Sequence, residues 1–429
     1  MSLPTPQAKD VYQQTVLVRV DFNVPLDGKR VVDDQRIRAA LETLLFLKEH
    51  EAKIVLMSHL GRPDGKPVDK YSLAPVADYL RNNLKMPVRF VADCVGEEVR
   101  QASAALEYGE ILLLENLRFH AAEEKNDSTF ARSLVTDTGA SVFINEAFSA
   151  SHRAHASVVG VAELLPSFAG FNLVAEVKIL QKMLEKAERP FVAVLGGAKI
   201  DDKIEAVRNL TKIADLVLVG GGVANAFLKA SGLEVHKSFM GSDAAANIKI
   251  AQEILAAHGI ERTMVKSDNS KHALPLPKVV LPVDVLAAVD ATVARKDTVQ
   301  TLELLKDVTD TPHDLDLQYL DIGPATIKLY QYLLSQAATI FWNGPLGVCE
   351  NPLFATASHQ LAKHIAAQST QRSAVSIVGG GETGAVVNAV GLQGRFTHVS
   401  TAGGAALEFI GGMTLPGIEV LRHHSKSNS

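Results

Sequence analysis

Cysteine is nearly absent: the chain holds two in 429 residues, Cys94 and Cys349, far apart and in no CxxC or Cys/His cluster. That excludes a disulfide framework, gives no metal-site signal and fits a reducing compartment. No apolar run approaches the length of a membrane span, so no membrane partner is expected. The opening "MSLPTPQAKD" lacks the basic region and apolar core of a secretory signal. The expectation is a cytoplasmic protein. An excess of charge is missing too: the net charge of −5 argues against a general nucleic-acid binder, though local basic clusters can still hold a small anion. There is no GxxxxGK[ST] loop, no GxGxxG after a strand and no protein-kinase signature. A Walker-type nucleotide enzyme and a dinucleotide fold both lose their support. No repeat of 20–50 residues is visible.

What is present reads as an α/β fold. Hydrophobic residues make up 47% and charged residues 21%, a globular composition, and 429 residues exceed one ordinary core. Short apolar runs at 15–20, 53–58, 110–115 and 141–145 predict buried strands, with helices at 34–50 and 128–138 between them. The pattern returns at 191–197, 215–222, 339–344 and 375–381. Strands alternating with helices predict parallel sheets covered on both faces, with ligands at the strand ends. Leu173, Val177, Leu180 and Leu184 fall at helical spacing, so 172–188 is expected to be one long helix joining two domains. The polar stretch 291–318 is expected to be a surface excursion.

The first half places cations beyond strands. Asp21 and Asn23 end the first strand, and Arg36 opens a helix. His59 and Arg62 follow the second strand, Arg118 the third and Arg153 the fourth. Guanidinium forks suit carboxylate and phosphate, so the converging set points to a small polyanion. Any one of these arginines alone reads as a surface or salt-bridge residue.

The second half offers bare backbone. "LGGAKIDDKI" passes from strand to helix through Gly196 and Gly197. Lys199 and Lys203 are four apart, on one face near a positive helix start. "VGGGVANAF", with Gly221, and "VGGGETGAV", with Gly380, Gly381, Glu382 and Thr383, repeat the strand–glycine–helix device. Three such turns with a lysine pair point to nucleotide phosphates. Glu382 is then a candidate for magnesium, or else an acid favoured by the helix dipole. Asn343 sits in a turn before Pro345. Glu350 reads as a ribose acceptor or a solvated acid.

The strings "RVDFNVP", "MSHLGRPDG", "LLENLRFH", "SHRAHAS", "LGGAKIDDKI", "VGGGVANAFLK", "LDIGPATI", "FWNGPLGVCE", "VGGGETG" and "HVSTAGGAALE" occur in this order from about residue 16 to 421. Together they resemble the phosphoglycerate kinase family. The resemblance implies two Rossmann-like domains: 1–171 with a returning segment 405–429 for phosphoglycerate, and 189–404 for nucleotide. It implies a monomer that transfers phosphoryl between 1,3-bisphosphoglycerate and ADP, giving 3-phosphoglycerate and ATP, with Mg2+ as cofactor. Asp21, Asn23, Arg36, His59, Arg62, Arg118 and Arg153 match the family's phosphoglycerate positions. Gly197, Lys203, Gly221, Asn343, Glu350, Gly380, Gly381, Glu382 and Thr383 match the nucleotide side. Arg36, Lys199 and Lys203 would serve transfer, and Glu382 the metal. Four residues depart from the family's usual ones: Glu382 and Glu146, each replacing an aspartate, and Ala402 and Tyr319, each replacing a glycine. The competing readings are a relative that binds without turnover and an unrelated dehydrogenase.

Overall fold

The structure is a computed structural model that describes residues 3–258, 260–267, 270–304, 315–400 and 402–427. Its contacts divide the chain into two units, Met1–Ile179 with Thr414–Ser429, and Leu180–Met413. The division falls inside the helix Phe171–Lys186, one residue earlier at its start and two at its end than the hydrophobic spacing predicts.

The first unit is built on β1 (Thr15–Arg19), β2 (Lys53–Met57), β3 (Val88–Phe90), β4 (Ile111–Leu113), β5 (Val142–Asn145) and β6 (Ser167–Ala169). They pair in the order β3-β4-β2-β1-β5-β6, all parallel. Val16 stands beside Ile54 and Val142, so apolar rows run across the sheet. Successive residues feed opposite faces. Val16, Val18, Ile54 and Leu56 enter one core, and Leu17, Val55, Met57 and Phe143 enter another. That double burial is why these strands read as continuous apolar runs. The single helix expected over 34–50 is two, Gln35–Ala39 and Leu41–Glu49. The Ala40 N–H bonds three residues back, to Ile37 O at 3.2 Å, and the tightened turn breaks the axis. The segment after the second unit returns as the helix Pro416–Ser427. Its Ile418 and Leu421 are buried, and the Gly417 N–H donates to Ser151 O at 2.9 Å.

The second unit repeats the plan. Its strands are β7 (Phe191–Leu195), β8 (Leu216–Val219), β9 (Val279–Val280), β10 (Thr339–Asn343), β11 (Val375–Gly379) and β12 (His398–Ser400). The order is β9-β8-β7-β10-β11-β12, again all parallel. The chain works outward from β7 on one side, then crosses to β10 on the other, which leaves a crevice at the β7/β10 switch. A small antiparallel sheet adds Gln300–Glu303, Asp284–Ala288 and Gln318–Ile322. So the stretch 291–318 is partly a sheet edge rather than wholly an excursion; its residues 305–314 lie outside the described residues.

Candidate active site

In the first unit, the four neighbouring strands β4-β2-β1-β5 each run into a polar segment at the same sheet edge. Parallel pairing therefore gathers side chains that are far apart in sequence. Arg36 donates to Asp21 Oδ2 at 2.7 Å. Asn23 Oδ1 accepts the Gly61 N–H at 2.9 Å, which ties the segment after β1 to that after β2. Arg118 donates to Gly61 O at 2.9 Å and pairs with Glu124 at 3.1 Å. His59 is buried. Burial first, then the charges of Arg19, Arg118 and Arg36, holds its imidazole well below the usual histidine range, so it is neutral. Burial, opposed by Glu124, lowers the Arg118 guanidinium, and the nearby Arg153 and Arg62 lower it further. Arg62 and Arg153 are exposed. Arg62 shows no ion pair among the described residues, and Arg153 donates to the His152 ring at 3.0 Å. The structure thus brings the whole predicted set to one edge, with repulsion among the arginines that an anion relieves.

One participant escaped the sequence reading. Arg19 is fully buried at the end of β1, donating to Ser157 Oγ at 2.8 Å and lying 3.1 Å from His59 Nδ1. A guanidinium has no acceptor to offer, so Nδ1 must accept and the His59 proton sits on Nε2. The only signal was a single charge inside the apolar run "TVLVRV".

In the second unit the crevice at the switch is a cavity of about 720 Å3, within the size range of ligand pockets. Gly197, Gly221, Glu350 and Glu382 line it, as do Tyr319, Phe239 and Cys349. The turns that carry the lining residues Gly197 and Pro345 need glycine at the neighbouring positions. A Cβ on Gly196 would stand 2.1 Å from Pro345 O, and one on Gly344 would stand 2.0 Å from Gly196 O. Lys199 caps the helix Ile200–Ile213, and Lys203 lies one turn on. Both reach Glu382: Lys199 Nζ is 3.4 Å from Oε1, and Lys203 Nζ is 3.9 Å from Oε2. Lys203 is buried and also donates to Gly196 O at 2.7 Å. Glu382 sits in the first turn of the helix Gly381–Ala389, whose cap Gly380 has φ +94°, a conformation that suits glycine.

Other predicted residues lie off the cavity wall. Thr383 is buried, and its hydroxyl accepts the Gly344 N–H at 2.6 Å. Asn343 is buried, and among the described residues its Nδ2 has no hydrogen-bond partner. A Cβ on Gly403 would lie 3.3 Å from Gly380 Cα, so the turns before the helices Gly381–Ala389 and Gly403–Ile410 touch. Ala402 has φ −99°, where any residue is at ease, so alanine does not strain that turn. Tyr319 keeps its hydroxyl out of the cavity by donating to Glu234 O at 2.9 Å.

The donor set suits magnesium carried on a nucleotide. Glu382 supplies one hard carboxylate on the cavity wall, its side chain 49% exposed, and such an ion takes most of its remaining oxygens from phosphate and water.

A family model described as phosphoglycerate kinase matches residues 7–413. A relative named phosphoglycerate kinase from Moorella thermoacetica is 44% identical over 415 residues, covering 96% of this chain and 97% of the relative. The solved phosphoglycerate kinase of Pyrococcus horikoshii OT3 superimposes with a TM-score of 0.80 at 31% identity, covering 97% of this chain and 98% of its own. That of Coxiella burnetii gives 0.74 at 34% identity, with 97% of each chain covered.

Proposed function

Because the chain belongs to the phosphoglycerate kinase family, we propose a division of labour in which the first unit holds the phosphoglycerate and the second the nucleotide. The reaction is the family's: reversible phosphoryl transfer from 1,3-bisphosphoglycerate to ADP, giving 3-phosphoglycerate and ATP. The enzyme is a phosphotransferase with a carboxyl acceptor. In the ATP-forming direction the donor is an acyl phosphate and the leaving group is a carboxylate. Neither that carboxylate nor a phosphate oxygen of ADP needs a protein base at neutral pH. The work left to the protein is alignment and positive charge around the moving group.

Asp21 and Asn23 orient the hydroxyl side of the phosphoglycerate, and His59 donates from Nε2 without adding charge. Arg62, Arg118 and Arg153 take its phosphate. Arg36 supplies charge at the carboxyl end. On the nucleotide side, Gly197 and Gly221 let the backbone approach. Glu350 accepts from ribose, and the Gly380–Gly381 amides face phosphate. Asn343 Nδ2, buried without a partner among the described residues, is a donor in reserve for a phosphate oxygen. Thr383 holds the Gly344 turn in place. Lys199 and Lys203 supply positive charge to the transferring phosphoryl group. Glu382, with nucleotide oxygens, would hold magnesium, which when bound neutralises phosphate charge. We further propose hinge closure about the helix Phe171–Lys186 before transfer, which excludes competing water, and a monomer working in the cytoplasm.

The observation that supports the nucleotide half is the convergence of Lys199 and Lys203 on Glu382, which lines the cavity. The test is steady-state turnover with ATP and 3-phosphoglycerate while magnesium is titrated, beside Glu382→Asp. The natural protein should turn over with a magnesium requirement that the variant shifts. Turnover with a magnesium dependence identical in both would remove Glu382 from the metal.

A further inference from the structure

β3 and β4 are parallel neighbours, so the loops beyond their C-terminal ends meet. Asp93 and Cys94 lie in the first loop; His120 lies just past the turn Leu117–Phe119 that follows β4. No sequence motif links them. Among the described residues, this is where donor atoms of a carboxylate, a thiol and an imidazole come within 4.8 Å of one another. His120 Nε2 is 2.8 Å from Asp93 Oδ1.

We propose that Asp93, Cys94 and His120 form a binding site for one divalent cation of the zinc class. Thiolate, imidazole and carboxylate are the donors such borderline-soft ions take, whereas magnesium and calcium select oxygen alone. Donors around tetrahedral zinc stand about 3.5 Å apart, so binding asks for a modest inward movement. Cys94 is buried at the base, while the Asp93 and His120 side chains are 47% and 33% exposed. The site therefore opens on one side, which admits the ion and leaves a fourth position for water. The surroundings orient the donors. The Cys94 N–H donates to Asp93 Oδ1 at 2.6 Å, and the His120 ring stacks on Phe130 at 5.2 Å. On binding, the thiol proton leaves to solvent and a sulfur–metal bond replaces it. The ion would tie the two loops together two residues beyond Arg118.

The test uses the full chain, stripped with chelator and titrated with Zn2+ by calorimetry, then with Co2+ by absorption. The expected result is one equivalent of zinc, a thiolate-to-cobalt charge-transfer band and a raised melting temperature. Cys94→Ser and His120→Gln should abolish the band and weaken zinc by more than the ~10-fold seen on losing an outer-shell partner. Cys349→Ser should keep both. Absence of the cobalt band in the natural protein, or its loss with Cys349→Ser instead, overturns the proposal and leaves Asp93–His120 a plain hydrogen-bonded pair. Zinc binding that survives His120→Gln unchanged overturns it as well, so the result does not depend on Cys94→Ser folding.

Discussion

Glu382 draws two ammonium groups of unequal standing, and the inequality can be measured. Lys199 is 66% exposed and Lys203 only 6%, so Lys199 is free to follow a moving group while Lys203 is fixed to Gly196 O. Lys199→Ala should lower kcat by about 10^2–10^3, the size expected for one preorganised charge, and leave 3-phosphoglycerate affinity nearly intact by calorimetry. Lost affinity with preserved turnover would reverse the assignment. Thr383→Val should cost about 1–3 kcal/mol in denaturant unfolding, because the Gly344 N–H loses its buried acceptor. The exposed and half-exposed cations were legible because chemistry needs charge at strand ends. Arg19 was not: a buried charge looks like a surface charge until its partners are seen. Cys94 and His120 escaped for a related reason, since their meeting is made by β3–β4 pairing rather than by spacing along the chain.

Among elements, the glycine turns carry the tightest constraint. Gly196→Ala would press a methyl against backbone, since Pro345 O stands 2.1 Å from the added atom. Overpacking of this kind costs typically about 1–3 kcal/mol. The variant should melt lower and bind ADP far more weakly, read by calorimetry; unchanged ADP affinity would mean the turn is not a cradle. The four inner strands of each large sheet were legible because burial on two faces writes them as unbroken apolar runs; the edge strands β3, β6, β9 and β12, only two or three residues long, were missed. The split of 34–50 at Ala40 was hidden, because alanine carries no breaker signal and the turn is set by one backbone hydrogen bond. The small antiparallel sheet was hidden too: Gln300–Glu303 is mostly exposed and polar, and only its partner Asp284–Ala288 gives it a place.

For the molecule as a whole, two buried acids, one in each unit, make stability fall as pH rises. Burial pushes Glu146 from 4.5 to about 8 and Asp321 from 3.8 to about 8. Their neutral forms are favoured in the fold. That contribution is fully present below the ordinary carboxylate range and is lost as pH rises through about 8. The unfolding free energy from denaturant titration should therefore fall between pH 5 and pH 9, by roughly 3–5 kcal/mol per group. Glu146→Gln should flatten the fall in the first unit and Asp321→Asn in the second; slopes unchanged in both variants would show the acids are not its source. The division of the chain has a consequence for synthesis. The second unit is one continuous stretch, Leu180–Met413, whereas the first is finished by the helix Pro416–Ser427. On the ribosome, then, the unit begun first is completed last. Until residues 414–427 emerge, the surface that Ile418 and Leu421 cover stands bare, and a chain truncated after Met413 should expose it to protease while Leu180–Met413 resists.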